Sequence, residues 1–214
     1  MTGLVFLHGW GFGASTWGRW LADFSSRTHH CLDTGYYGPA NLLLPDNPDG
    51  WIGIGHSFGF ARLTQFPLRW KALVGLGAFL HFCPTVQFPV GTPAPILDAM
   101  TERLDISAGD VLARFQKRCG LKEATAPSPT PEGLTRLRTD LLALRDLDMA
   151  PPACPTLFLH AKDDRIAPVV LADEAHRRTP VARLEVLETG GHALHLTQHD
   201  FCVQHVREFL HELG

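Results

Sequence analysis

The feature that most constrains the fold is an alternation along the chain between short apolar, β-prone runs and helical patterns. The six apolar runs lie at residues 4–7, 30–32, 51–54, 72–76, 156–160 and 184–187. Buried strands that alternate with helices are typical of a parallel sheet covered by helices on both faces. We therefore predict an α/β fold with about six mostly parallel strands.

One long stretch, residues 80–152, interrupts this alternation because it contains no convincing strand pattern. Residues 107–110 (SAGD) are typical of a capping box and predict a helix that ends before Gly120. After a proline-rich connector at 124–131, a second helix is predicted by one apolar face: Leu134, Leu137, Leu141 and Leu144. We predict a helical lid at 80–152, inserted between the two parts of an α/β core, 1–79 and 153–214.

Composition limits the class of protein and its partners. The chain has 214 residues, of which 45% are hydrophobic and 19% charged, so it can bury one sizeable core. A net charge of −3 gives no reason to expect nucleic-acid binding. Five cysteines without a CxxC pair favour reduced thiols, and neither a signal peptide nor an apolar run of membrane length is evident. We expect a cytoplasmic protein that binds no membrane.

Residues 55–59 (GHSFG) fit the G-x-S-x-G pattern, directly after a strand pattern and before a helical one. In a nucleophile elbow the serine lies in a sharp strand-to-helix turn, and the two glycines let the strand and the helix approach closely. A glycine-rich turn with an ordinary N-cap serine would match the same letters. Because the strand and helix context is present, we predict that Ser57 is a nucleophile.

A second glycine turn, residues 8–11 (HGWG), follows the first strand pattern. A loop at this position can direct a backbone N–H group at an ester oxygen as negative charge develops on it. Taken alone, the segment would be a plain glycine turn. Together with the elbow, it predicts an oxyanion hole formed by the backbone N–H groups of Trp10 and Phe58.

The partners of a serine nucleophile in such a fold follow it in the order acid, then histidine. Among the late histidines, only His192 follows a strand pattern through a glycine turn, and His195 is the second candidate. The acid is expected after the preceding strand, where Asp163 and Asp164 are adjacent. Neighbouring residues project differently, so only one of these carboxylates can accept the hydrogen bond from His192 Nδ1.

Four segments together, VFLHGWGFGASTW, GHSFG, DRIAP and GGHALHL, resemble the pimeloyl-acyl-carrier-protein methyl ester esterases of the α/β-hydrolase superfamily. The resemblance implies a compact α/β-hydrolase fold in which Ser57, Asp164 and His192 form a catalytic triad. It also implies that Trp10 and Phe58 supply the oxyanion hole. The chain departs from the family in starting at what corresponds to the third strand, and its 33–51 connection is too short for the usual helix.

The resemblance also implies how a carrier protein would be bound. In these esterases a helical lid recognises the acidic carrier protein through arginines. Here Arg114 and Arg118 are helical neighbours, and two more arginines, Arg136 and Arg138, lie together in the second lid helix. Acidic residues balance the basic ones across this stretch, so two ordinary solvated helix faces are the alternative.

The predicted reaction is hydrolysis of the methyl ester of pimeloyl-acyl-carrier protein, a step in the synthesis of a biotin precursor. We expect the long acyl chain to lie under the apolar face of the lid, near Trp10, Trp17 and Phe79. Such a reaction needs no metal and no organic cofactor. Two alternatives share these motifs: a broad carboxylesterase or lactonase without a carrier partner, and a non-catalytic binding protein of the same fold.

Overall fold

Six strands form one sheet in which every neighbouring pair is parallel. The computed structural model describes residues 2–123 and 127–214, and the strands are β1 (Gly3–Leu7), β2 (His29–Leu32), β3 (Trp51–His56), β4 (Ala72–Leu76), β5 (Thr156–Ala161) and β6 (Ala182–Leu187). Their order is β2-β1-β3-β4-β5-β6. The sheet confirms the predicted α/β class and number of strands. The connector predicted at 124–131 falls partly on 124–126, outside the described residues.

Helices cover both faces of the sheet, because alternate residues of a strand point in opposite directions. In β1, Val5 and Leu7 belong to one apolar cluster, whereas Leu4 and Phe6 belong to the other. The second cluster packs against α1 (Gly18–Asp23), α6 (Leu194–Thr197) and α7 (His199–Glu212). The first packs against α2 (Phe58–Thr64), α3 (Ala94–Arg118), α4 (Pro131–Arg145) and α5 (Val169–Arg178). None of these helices is both long and apolar enough to cross a membrane, over the part of the chain described.

The strand order places a topological switch point between β1 and β3. After β1 the chain goes to β2 on one side, and it then returns to β3 on the other side. The loops that leave the carboxyl ends of β1 and β3 therefore diverge, and ligands of open α/β sheets bind in the crevice at such a point. His8 directly follows β1, and Ser57 directly follows β3. The two glycine turns of the sequence thus meet at this edge of the sheet.

Helix α4 confirms the apolar face predicted for the second helix between β4 and β5. Leu137, Leu141 and Leu144 are buried, and they join the same cluster as one face of the strands. Thr130 caps the helix, because its hydroxyl oxygen accepts the N–H of Gly133 at 2.9 Å. Its position between two core strands fits an insertion into the α/β core.

Helix α3 is longer than the sequence predicts. The backbone is non-helical at Ser107 (φ −157°, ψ 78°), where the capping box was expected, and a helix does run from there to Arg118. The prediction missed the preceding half, which begins at Ala94. Only Leu97 and Leu104 are buried in that half, so its apolar pattern is too sparse to indicate a helix.

The connection between β2 and β3, residues 33–50, contains no helix, as its length predicts. It folds back along β2, which is the edge strand of the sheet, and Asp33 and Asn41 form an antiparallel bridge. The His30 ring also bonds the connection, since its Nε2 lies 3.0 Å from the Leu43 carbonyl oxygen. The connection therefore covers part of an otherwise open sheet edge.

Candidate active site

The turn from β3 into α2 has the geometry of a nucleophile elbow. Ser57 has a φ of 53°, a left-handed conformation that is strained for a residue with a side chain. A Cβ on Gly55 would lie 2.4 Å from Phe60 Cα, and one on Gly59 would lie 2.3 Å from the Leu7 carbonyl oxygen. Only glycine fits at these two positions, so the packing around Ser57 requires both glycines of the motif.

Two consecutive hydrogen bonds link Ser57 to a carboxylate through His192. The His192 Nε2 atom lies 2.8 Å from Ser57 Oγ, and Nδ1 lies 2.7 Å from Asp164 Oδ2. Asp164 follows β5, and His192 follows β6 through the glycine turn at 190–191. Because Nδ1–H donates to the carboxylate, Nε2 is left to accept the hydroxyl hydrogen of Ser57.

The two adjacent aspartates have different partners. Asp163 is exposed and accepts both N–H groups of the 190–191 turn, at 2.9 and 2.8 Å, so it holds the turn that precedes His192. Asp164 is buried, and its Oδ1 accepts two N–H groups of its own loop at 2.8 and 2.9 Å. Burial alone would raise the pKa of Asp164, but the His192 imidazole and the hydrogen bonds outweigh it and lower that pKa. The geometry thus brings Asp164, rather than Asp163, to the histidine.

The loop after β1 runs against the elbow. A Cβ on Gly9 would lie 3.0 Å from Ser57 Cβ and 3.0 Å from the His56 carbonyl oxygen. Trp10, the next residue, therefore belongs to the stretch of backbone that borders the serine. Phe58 is the first residue of α2, where backbone N–H groups have no acceptor within the helix. Both positions suit the donors of an oxyanion hole, a role that stays a prediction.

Trp10 and Phe79 lie in the same apolar cluster, on the face of the sheet that α2 to α5 cover, and their contact with an acyl chain stays a prediction. The Trp10 ring meets the Phe115 ring of α3 edge-on, with the ring centroids 4.8 Å apart. The structure does not bring Trp17 to this position. Trp17 is fully buried in the other cluster, 5.3 Å from the Phe6 ring, because it immediately precedes α1, which covers the opposite face of the sheet.

The second half of α3 closes over the site, and Ser57 is only 6% exposed. At one end, a Cβ on Gly11 would lie 3.1 Å from the Phe115 ring, so the helix contacts the loop after β1. At the other end, the Ala193 N–H donates to the Cys119 carbonyl at 2.9 Å, which joins the helix to the loop after β6. The helix therefore spans the two loops between which a substrate would enter.

Two of the four arginines predicted to bind a carrier protein are engaged within the chain. Arg136 donates to the Gly35 carbonyl at 3.0 Å, so it ties α4 to the loop after β2. Arg138 forms an ion pair with Asp105 of α3. These contacts give both side chains a role in holding the helical segment together.

The other two, Arg114 and Arg118, are exposed on the last turns of α3. Neither forms an ion pair with any residue of 2–123 or 127–214. Arg118 donates to the Arg165 carbonyl at 3.1 Å, and Arg165 directly follows the buried Asp164. With the exposed Lys117, these side chains form a basic patch (Arg114, Lys117, Arg118 and Arg165) beside the site.

Two buried histidines, whose position the sequence did not indicate, lie beside His192 and Asp164. The His56 Nε2 atom lies 3.0 Å from the His192 carbonyl oxygen. The His160 Nε2 atom lies 2.8 Å from the Ala167 carbonyl oxygen and 3.4 Å from Asp164 Oδ2. Each ring therefore contacts the backbone or carboxylate of a residue in the hydrogen-bond chain. His56 follows the strand pattern at 51–54, and His160 ends the strand pattern at 156–160. This is the one sequence signal that could have placed both histidines at the carboxyl ends of the strands.

His195, the second candidate for the base, does not contact Ser57 by a hydrogen bond. Its ring lies 4.1 Å from the His56 ring, and neither of its nitrogens has a hydrogen-bond partner in the described part of the chain. Burial, helped by the positive charge that neighbouring histidines can carry, lowers the pKa of His195 to about 3. The imidazole is therefore neutral at ordinary pH.

Proteins of similar sequence share one name. No protein-family model matches the chain. It is 25% identical over 242 residues to a pimeloyl-[acyl-carrier protein] methyl ester esterase of Vibrio campbellii, which covers 96% of this chain and 93% of that protein. A protein of the same name from Nitrosomonas europaea is 25% identical over 227 residues, covering 89% and 88%. This similarity confirms the resemblance drawn from the four sequence segments.

Solved structures give the fold. An esterase from Exiguobacterium antarcticum matches with a TM-score of 0.79 at 19% identity, covering 98% of this chain and 91% of that one. MenH from S. aureus matches with a TM-score of 0.71 at 16% identity, covering 99% and 94%. The chain has the α/β-hydrolase fold. In this α/β-hydrolase fold, Ser57, Asp164 and His192 stand beyond the carboxyl ends of β3, β5 and β6.

Proposed function

We propose that this chain is a carboxylic ester hydrolase in which Ser57 is the nucleophile, His192 the general base and Asp164 the residue that orients the imidazole. One observation carries the proposal: two hydrogen bonds of 2.8 and 2.7 Å join the three side chains at a strained strand-to-helix turn. The names of the similar proteins support ester hydrolysis as the reaction class. An intact arrangement of this kind disfavours a non-catalytic binding protein.

The reaction proceeds by two acyl transfers. Ser57 Oγ attacks the ester carbonyl carbon while its proton passes to His192 Nε2, and the carbonyl oxygen becomes an oxyanion held by the N–H groups of Trp10 and Phe58. The intermediate collapses, the ester C–O bond breaks, and the alkoxide leaves as an alcohol with the proton from His192. Water then attacks the acyl-enzyme by the same steps, with His192 as the base, and releases the acid and Ser57. Asp164 stabilises the imidazolium that forms in each half.

The substrate proposed is the methyl ester of a pimeloyl group carried by an acyl carrier protein. It is supported by the shared name of the similar proteins and by the basic patch, which is exposed beside the site and suits an acidic partner. Of the four arginines considered, Arg114 and Arg118 are the ones that are exposed and form no ion pair within the described part of the chain. A broad carboxylesterase acting on free esters is the alternative, and several structures of similar fold carry the name esterase.

Residues 80–152 act in this proposal as a lid on a core formed by 1–79 and 153–214. The acyl chain lies under the second half of α3, next to Trp10, Phe79 and Phe115. Because Ser57 is only 6% exposed, α3 has to move away from the loop after β1 before a long substrate binds. Trp17 is not part of this site, since it lies on the other face of the sheet.

Hydrolysis of methyl-pimeloyl carrier protein, followed by gel shift, tests the reaction and the substrate together. Wild type is expected to cleave it and Ser57→Ala to leave it intact. If wild type cleaves p-nitrophenyl acetate but not the carrier-bound ester, the serine mechanism stands and the broad esterase replaces the carrier-specific enzyme. If neither ester is cleaved by folded wild type, the proposed function is wrong.

Reversing the charge of the patch tests the carrier partner separately. Arg114→Glu with Arg118→Glu is expected to lower kcat/KM for the carrier-bound ester by about tenfold at low salt, because electrostatic attraction mainly sets the association rate. Activity on p-nitrophenyl acetate should not change. The control is Arg69→Glu with Lys71→Glu, two exposed cations just before the amino end of β4, whereas the patch lies beyond the carboxyl ends of the strands. Equal losses in the two double variants would show that the patch has no special role.

A further inference from the structure

His8 is a buried histidine that the proposed reaction does not use, and its ring contacts backbone on both sides. Nδ1 lies 2.9 Å from the Gly9 carbonyl oxygen. Nε2 lies 3.2 Å from the Thr34 nitrogen and 3.3 Å from its Oγ1. A carbonyl oxygen can only accept, so Nδ1 must carry a hydrogen and donate it to Gly9. The contact therefore fixes the tautomer as well as the position of the ring.

The Gly9 carbonyl belongs to the same peptide group as the N–H of Trp10. A trans peptide is planar, so its C=O and N–H point in opposite directions. Two donors hold this oxygen, His8 Nδ1–H at 2.9 Å and the Phe12 N–H at 3.3 Å. Because these two donors fix the direction of the Gly9 carbonyl oxygen, they also fix the direction of the Trp10 N–H. The N–H therefore points away from the His8 ring.

We propose that His8 is a positioning residue that orients the Trp10 N–H as one of the two donors of the oxyanion hole. The inference rests on the proposed function, because it assumes an oxyanion at that place. Gly9 itself brings this peptide group to the elbow, since a Cβ there would be 3.0 Å from Ser57 Cβ. His8 acts from the side of the loop that faces away from the serine.

His8 is in turn anchored by the loop after β2. The Thr34 N–H donates to His8 Nε2 at 3.2 Å, and the neighbouring Asp33 carboxylate accepts the N–H groups of Ala14 and Gly35 at 2.8 and 2.7 Å. The Asp33 side chain therefore joins the loops that follow β1 and β2. Tyr36 completes the enclosure, with its ring edge-on to the imidazole at 5.6 Å. An imidazole held on this many sides has little freedom to rotate, which is what a positioning role requires.

Two substitutions at His8 separate the hydrogen-bond donor from the ring. His8→Leu fills the space without a donor, whereas His8→Asn keeps an N–H donor at the δ position. With p-nitrophenyl acetate, His8→Leu is expected to lower kcat by about 10- to 100-fold. Removing an oxyanion-hole donor altogether lowers kcat by about 10²- to 10³-fold, and a misdirected donor should cost no more than that. KM should stay near the wild-type value, since the interaction strengthens only in the transition state. His8→Asn should recover most of the loss.

A trifluoromethyl ketone provides the readout that a purely structural role would not move. Ser57 Oγ adds to the ketone carbonyl and forms a hemiketal whose oxyanion occupies the proposed hole. The Ki of the ketone should therefore rise in His8→Leu by the same factor by which kcat falls. The control is His30→Leu, in the edge strand β2 and away from Gly9, which removes the same kind of imidazole–carbonyl contact, to Leu43. That variant should keep both kcat and Ki.

The outcomes distinguish this inference from the proposed function. If wild type hydrolyses the ester and folded His8→Leu equals it, only the positioning role is overturned. A fall in kcat without a rise in Ki, or an equal loss in His8→Asn, overturns it as well. If His8→Leu does not fold, Thr34→Val removes one ring partner but keeps the backbone N–H, and it should lower kcat while raising Ki in proportion. If wild type is inactive, both proposals are wrong.

Discussion

Replacing the buried His195 with phenylalanine is expected to stabilise the protein, and to do so more at pH 5 than at pH 8. The ring lies 5.9, 5.1 and 4.1 Å from those of Phe12, Trp17 and His56, and neither nitrogen has a partner among residues 2–123 and 127–214. A buried polar group without a partner costs about 1–3 kcal/mol. A phenyl ring keeps the flat shape but adds one ring atom, so we expect a net gain of about 1 kcal/mol at pH 8.

The pH dependence comes from the ionisation of His195. Burial lowers its pKa from 6.5 to about 3. As the pH falls below 6.5, the unfolded chain takes up a proton here while the folded protein stays neutral until the pH is near 3. Wild type therefore loses stability across this window. At pH 5 the ionisation of His195 lowers the free energy of unfolding by about 2 kcal/mol. In the unfolded chain at this pH, the protonated form of the imidazole outnumbers the neutral form by about 30 to 1.

Urea unfolding at the two pH values, followed by tryptophan fluorescence, gives the free energies of unfolding. The variant should exceed wild type by about 1 kcal/mol at pH 8 and about 3 kcal/mol at pH 5. Burial is the largest cause of the low pKa of His56, and it acts in both proteins, so the ionisation of His56 contributes little to the difference. His211→Phe, at an exposed position of α7, is the control. An equal difference at both pH values would refute the assigned ionisation, and a destabilised variant at both would refute the reasoning about unpartnered nitrogens.

Two further pairs of substitutions, each a test with its control, examine the site and the elbow. Asp164→Asn should lower kcat for p-nitrophenyl acetate by about 10³- to 10⁴-fold, because an amide no longer fixes the histidine tautomer, whereas Asp163→Asn should retain most of the activity. Similar losses in the two would contradict the assignment. Gly59→Ala places a Cβ 2.3 Å from the Leu7 carbonyl oxygen and should lower Tm by about 10 °C or more, measured by thermal unfolding. Gly18→Ala, whose Cβ meets no atom within 4 Å, should not lower it.

The features that the sequence predicted are those encoded by neighbouring residues. Each buried strand is a continuous apolar run, and the elbow needs Gly55 and Gly59 for contacts made within the same strand–turn–helix unit or with the adjacent strand. The apolar face of α4 repeats at helical spacing within one segment. Local patterns of this kind survive in the fold because tertiary packing reinforces them.

The features that the sequence did not predict depend on contacts between distant segments. The residue pattern does not distinguish Asp163 from Asp164, and Asp164 was named only through the resemblance, because the position of the 190–191 turn decides which carboxylate meets His192. Trp17 was expected beside Trp10 in the acyl-chain site, yet it lies seven residues later in the chain and on the opposite face of the sheet. No spacing rule in a single sequence contains this information.

The hydrogen-bond chain at the site joins parts of the polypeptide that are synthesised far apart in time. Ser57 and His192 are separated by 135 residues, and the interval between them includes the whole helical segment and three strands. A nascent chain therefore cannot gain the proposed activity until β6 and its following loop have left the ribosome. In a refolding experiment, the return of ester turnover would mark completion of the entire sheet, later than the return of helical signal.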